Sequence, residues 1–116
     1  MKIGEMSKKT GLSEYTLRYY EDKGLIRVKR DEFDRREYEE SEIEWILFIK
    51  RLKETGMILR NIKKYSDLRY LGDSTIEERM EILNEHRKII LYEQKKWKDY
   101  LENIDNKINI YKEKLK

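Results

Sequence analysis

The 116-residue sequence contains no cysteine and no proline. Without thiols there is no disulfide framework, no thiolate metal site and no thiol redox chemistry. The single histidine besides, His86, is more readily a surface or interface residue than a ligand, and neither a metal nor another cofactor is expected. Glycine is scarce, occurring at positions 4, 11, 24, 56 and 72 only, so from Ser74 to Lys116 nothing interrupts a helix. Long apolar runs are missing too. No stretch approaches the roughly 20 apolar residues that cross a bilayer, and the first five residues lack the apolar core of a secretory signal. A cytoplasmic location without a membrane partner is the expectation. There is no glycine-rich phosphate loop and no carboxylate cluster in an apolar setting, which argues against an enzyme.

What the chain does have is charge. Charged residues make up 44% and hydrophobic ones 38%, too few of the latter for a large globular core. Apolar faces must therefore find a partner surface. The net charge of +3 says little by itself, but it is unevenly spread. Residues 1–70 hold 17 Lys/Arg against 14 Asp/Glu, whereas residues 71–116 hold 10 of each. Two basic clusters stand out, one of Arg27, Lys29, Arg30, Arg35 and Arg36, the other of Lys50, Arg51, Lys53, Arg60, Lys63 and Lys64. On charge alone a solvated face and a polyanion-binding face are equally good readings.

Residues 3–22 have the pattern of a helix-turn-helix, which needs a short helix, a tight turn and a second helix presented to the major groove. Gly11 stands where the turn requires tolerance of positive φ. Met6, Thr10, Leu12, Leu17 and Tyr20 take the inward offsets, and Ser13 can cap the second helix. Glu14, Tyr15, Thr16, Arg18 and Tyr19 are then left outward. Arg18 suits either phosphate or the guanine O6/N7 pair, and the hydroxyls of Thr16, Tyr15 and Tyr19 suit phosphate or base edges.

Gly24 is placed to end the second helix. Leu25–Val28 and Arg36–Tyr38 read as two short strands around a charged loop, a basic β-hairpin that would serve as a wing. Arg35, Arg36 and Tyr38 are its candidate phosphate contacts; packing against the next helix is the other reading of Tyr38. Ser41-Glu42-Ile43-Glu44 has the form of a capping box opening an apolar helix through Thr55. Gly56-Met57 turns the chain into a shorter helix from about Leu59 to Leu68. Its polar side carries Arg60, Lys63 and Lys64, either as a second, helical wing or as a plain solvated face.

Thr75-Ile76-Glu77-Glu78 reads as a second capping box. Beyond it one seam runs Ile76, Met80, Leu83, Arg87, Ile90, Gln94, Trp97, Leu101, Ile104, Ile108, Tyr111 and Leu115. The steps alternate four and three, the signature of a coiled coil sustained over five heptads. Such a helix, about 60 Å long at 1.5 Å per residue, cannot bury its seam alone. The dimerisation residues are therefore Met80, Leu83, Arg87, Ile90, Gln94, Trp97, Leu101, Ile104, Ile108 and Tyr111. Arg87 and Gln94 are the polar interruptions that fix register. Whether the pair runs parallel or antiparallel cannot be read from the seam.

These residues resemble the MerR family of transcription regulators over essentially the whole chain. The resemblance lies in Ile3–Ser13, in Thr16-Leu17-Arg18-Tyr19-Tyr20-Glu21 with Gly24-Leu25-Ile26, and in Arg36-x-Tyr38. Thr55-Gly56-Met57, Gly72–Arg79 and Asp105-x-Lys107-Ile108-x-x-Tyr111 look like the small aldehyde-responsive branch. That branch carries a sensing cysteine where Arg51 stands here, so the thiol sensor is lacking. The resemblance implies a homodimer joined by an antiparallel coiled coil, with heads at opposite ends. It also implies binding to a promoter dyad whose over-long spacer is bent and untwisted for RNA polymerase. Within it, Thr16, Arg18 and Tyr19 would contact DNA from the recognition helix, Arg36 and Tyr38 from the first wing and Arg60 from the second.

The expected architecture is mainly α. Residues 1–70 form a winged helix-turn-helix with a small β-hairpin, and residues 71–116 form the coiled-coil dimerisation helix. The expected partners are double-stranded promoter DNA, a second copy of the chain, and RNA polymerase at the promoter. The candidate DNA contacts are Ser13, Tyr15, Thr16, Arg18, Tyr19, Arg35, Arg36, Tyr38 and Arg60. The competing function is a protein–protein adaptor with a dimerising coiled coil.

Overall fold

Two short helices, α1 (Ile3–Thr10) and α2 (Glu14–Asp22), open the computed structural model, which describes residues 1–116. The turn between them is built as the residues require. Gly11 is left-handed at φ 72° and its N–H donates to the Ser7 carbonyl. The Ser13 hydroxyl caps α2 by accepting from the Thr16 N–H at 3.0 Å. Met6, Thr10, Leu17 and Tyr20 are buried and Leu12 is half-buried, which is the inward set the pattern predicts.

Past α2 the Leu25 N–H donates to the Tyr20 carbonyl and the Gly24 N–H to the Glu21 carbonyl, both at 2.9 Å. This 6→1, 5→2 pair demands a left-handed residue between helix and loop, and Gly24 supplies it at φ 73°. A Cβ there would come within 2.8 Å of Lys63 Cε. Gly24→Ala is therefore expected to cost about 1–2 kcal/mol in left-handed strain, with displacement of the Lys63 side chain on top. Urea unfolding of the variant checks this.

The wing differs from expectation. The strands are β1 (Lys29–Arg30) and β2 (Arg36–Glu37), antiparallel, with Lys29 opposite Glu37 and Arg30 opposite Arg36. Leu25–Val28 is not a strand. Leu25 and Ile26 are core residues, and the Leu25 carbonyl accepts from Trp45 Nε1 at 3.1 Å and Ser66 Oγ at 2.6 Å. A carbonyl aimed into the core cannot join a ladder.

Helix α3 (Glu42–Glu54) buries Trp45, Ile46, Ile49 and Leu52, and α4 (Leu59–Leu71) buries Ile62, Tyr65 and Ser66. The Trp45 and Tyr65 rings stack at 5.7 Å. Helix α4 runs one turn beyond the expected Leu68 because tertiary contacts hold that turn. The Tyr70 hydroxyl accepts from the Arg27 N–H and donates to Glu42, and the Arg69 guanidinium lies 4.7 Å over Trp45. Neither capping box forms. Ser41 is itself helical at φ −60°, ψ −19°, and the Glu39 and Glu40 carbonyls take the first free N–H groups of α3. Thr75 closes a 3₁₀ turn (Asp73–Thr75), and its hydroxyl turns back to the Leu68 and Gly72 carbonyls.

Helix α5 (Ile76–Lys114) is a single 39-residue helix. The chain divides into two compact units, residues 1–82 and 83–116, the second helical through Lys114. His86 is buried rather than on the surface. The seam is not covered: Met80, Trp97, Leu101, Ile104, Ile108 and Tyr111 are each between 45% and 68% exposed. No helix is long and apolar enough to cross a membrane.

Candidate nucleic-acid interface

The outward face of α2 presents Tyr15, which is 78% exposed, together with exposed Ser13, Glu14 and Arg18. Arg18 makes no ion pair, so its guanidinium is available to an external anion. Thr16 is half-buried and its hydroxyl accepts from Ser13 Oγ at 2.9 Å, so these two side chains already serve the cap. Tyr19 is half-buried, with the ammonium of Lys23 at 5.7 Å and that of Lys53 at 5.4 Å from its ring centre. Lys53 belongs to α3. Its place beside the recognition helix has no signal in local spacing.

The wing lies beside α2. Arg36 Nε donates to Glu21 Oε1 at 2.7 Å, and Arg30 Nη2 sits 3.0 Å from Glu21 Oε2. The Glu21 carboxylate holds the Arg36 guanidinium in its charged form beyond its ordinary range. At the tip, Asp31 Oδ1 accepts from the Phe33 and Arg35 N–H groups, and Asp31 Oδ2 pairs with Arg35 Nε and Lys2 Nζ. These bonds, Lys2 foremost, keep the Asp31 carboxyl ionised well below the usual aspartate range. Arg35 is exposed, its guanidinium 5.0 Å from the Phe33 ring centre.

Tyr38 is not a surface contact. It is 3% exposed, its N–H donates to the Met1 carbonyl, and its hydroxyl is buried with no hydrogen-bond partner. Burial pushes the phenol pKa up. The phosphate reading of Tyr38 is thus corrected: the ring fills core space under the wing, and packing decides its position. A buried unsatisfied hydroxyl costs about 1–3 kcal/mol. Tyr38→Phe is therefore expected to raise the melting temperature by a few degrees and to leave duplex affinity within about twofold. A tenfold loss of affinity would show instead that the hydroxyl emerges on binding.

Arg60 is exposed in the first turn of α4. That turn has no acidic residue and no side-chain cap, so an anion placed there would meet free N–H groups and the positive end of the helix dipole. The structure thus joins α2 to β1 and β2 through Glu21, and sets Arg60 on a separate element. Glu21, Lys23, Arg30 and Lys53 are not among the candidate contacts read from the sequence; Arg30 and Lys53 figure there only as members of the two basic clusters.

Residues 1–68 match the family described as MerR HTH family regulatory protein. An HTH-type transcriptional regulator of Haemophilus influenzae is 35% identical over 106 residues, spanning 90% of this chain and 78% of its own length. The HTH-type transcriptional regulator AdhR of Bacillus subtilis is 40% identical over 92 residues, spanning 78% of this chain and 66% of its own. Among solved structures, HiNmlR, a MerR family regulator lacking the sensor domain and bound to promoter DNA, superposes with a TM-score of 0.84. It shares 33% identity, with 97% of this chain and 90% of that one covered. A MerR family transcriptional regulator from Bacillus thuringiensis superposes with a TM-score of 0.80 at 30% identity, covering 93% and 96%.

Proposed function

The chain belongs to the MerR family of helix-turn-helix regulators, and from that premise we propose that it binds promoter DNA sequence-specifically as a homodimer and regulates transcription from the cytoplasm. The observation that carries this reading is the exposed face of α2, on which Arg18 stands outside every ion pair, with Arg30 and Arg36 of the wing anchored beside that helix by Glu21. Arg18 reads a base edge or grips a phosphate. Ser13, Tyr15, Thr16 and Tyr19 add contacts from α2, and Arg35, Arg36 and Arg60 grip the backbone to either side.

Dimerisation is the second part of the proposal. Residues 71–116 form the dimerisation segment, whose exposed seam of α5 has the periodicity of a coiled coil. An antiparallel pair would carry two reading heads and so match a DNA dyad. Deformation of the spacer between half-sites then becomes the regulatory variable, read out by RNA polymerase at the promoter. The likeness to AdhR supports the branch, and Arg51 in place of a cysteine points to a trigger other than a thiol.

Selection of bound duplexes from a random pool tests the proposal. A palindrome with fixed half-site spacing is expected, and affinity should fall steeply with salt as phosphate counterions are released. Equal binding of operator and random duplex at moderate salt would overturn it in favour of an adaptor.

A further inference from the structure

Between the reading helix and the wing stands one acid. Glu21 is in the last turn of α2, its side chain 18% exposed, and each carboxylate oxygen holds a different wing arginine. Those two arginines are not independent. Arg30 and Arg36 are register partners, directly opposite each other on β1 and β2. Like charges facing across an antiparallel pair repel. A hairpin with two residues per strand has little stability of its own with which to resist. Tyr38, the residue two beyond Arg36, is itself buried.

We propose that Glu21 is a positioning residue of the DNA interface: its carboxylate clamps the cross-strand pair Arg30–Arg36 and fixes the wing's angle against the recognition helix. This inference rests on the DNA-binding reading and deepens it. The clamp gives up some attraction for phosphate, since it neutralises part of the wing's charge. In return both guanidiniums are held in a defined place, Arg36 by a charge-assisted hydrogen bond to one oxygen and Arg30 by an ion pair at the other. Ordering the wing before DNA arrives lowers the conformational cost of docking.

The clamp and simple electrostatics predict opposite signs, which makes the test sharp. If Glu21 were merely an acid near a polyanion, Glu21→Gln would remove one negative charge per protomer and tighten every duplex. The clamp predicts instead that operator affinity falls about tenfold or more while random-duplex affinity holds or rises, so the specificity ratio collapses. Glu21→Asp keeps the charge but shortens the reach, and should also lose operator affinity. In an Arg30→Gln background, where no like-charge pair needs holding, adding Glu21→Gln should cost under threefold. Full-chain dimers are compared by fluorescence anisotropy on selected and scrambled duplexes over a salt series, with a thermal melt confirming each variant is folded. Parallel tightening on both duplexes, or an undiminished Glu21→Gln loss in the Arg30→Gln background, overturns the clamp. Failure of the unaltered protein to prefer its operator overturns the DNA-binding reading instead.

Discussion

Ile104→Glu is expected to convert the proposed dimer to a monomer and, with it, to abolish operator binding. Ile104 is 58% exposed in the single chain and lies mid-seam, with Leu101 at 58% and Ile108 at 45% beside it. In a coiled coil these side chains become knobs in a partner's holes. Burying an isoleucine contributes about 1.5–3 kcal/mol. Replacing it with a carboxylate loses that gain and adds several kcal/mol for burying an uncompensated charge. The change occurs twice per dimer, so about 6 kcal/mol or more is lost, on the order of a 10⁴-fold weakening of association. Sedimentation should show a species of the 14.4 kDa protomer mass where the unaltered chain sediments at twice that. A variant that stays dimeric would mean that the seam is not the interface.

Arg18→Ala is the second large effect. A bidentate arginine–guanine contact contributes about 1–3 kcal/mol of discrimination, and the proposed dimer would make two. Operator affinity should fall roughly 10²- to 10⁴-fold, with a much smaller change on random duplex. The salt dependence separates the two readings of this side chain. A base-edge role leaves the slope of log K against log salt nearly unchanged, whereas loss of two phosphate contacts reduces it by about 1.8. Unchanged operator affinity would remove Arg18 from the interface and leave the wing to carry recognition.

Much of the interface was legible because it is local. The Ser13 cap, the Gly11 and Gly24 turns and the buried set Met6, Thr10, Leu17 and Tyr20 follow from spacings of a few residues, and the structure shows them so. The outward residues of α2 are then fixed by exclusion, since a helix that turns Leu17 and Tyr20 inward leaves Tyr15 and Arg18 outside. The wing was legible only as a basic hairpin. Its register, its short strands and the burial of Tyr38 depend on partners far along the chain.

The two capping boxes show the same limit from another side. Ser41 and Thr75 have the right neighbours for a box, but both enter their helices from a turn already wound in the helical sense. Carbonyls and 3₁₀ bonds therefore reach the free groups first.

The amino-acid order alone determined the helical class, the helix-turn-helix and the unbroken seam of α5, because each is a periodicity or a turn preference acting over one or two helical turns. Tertiary structure alone decided that the Leu25 carbonyl would be spent on Trp45 and Ser66, that Tyr38 would fill the space under the wing, and that Glu21 would sit between Arg30 and Arg36. Each of those outcomes joins groups nine to 41 residues apart or ranks competing partners for one polar group. That choice is made by packing and desolvation when the elements meet, and no local pattern encodes it.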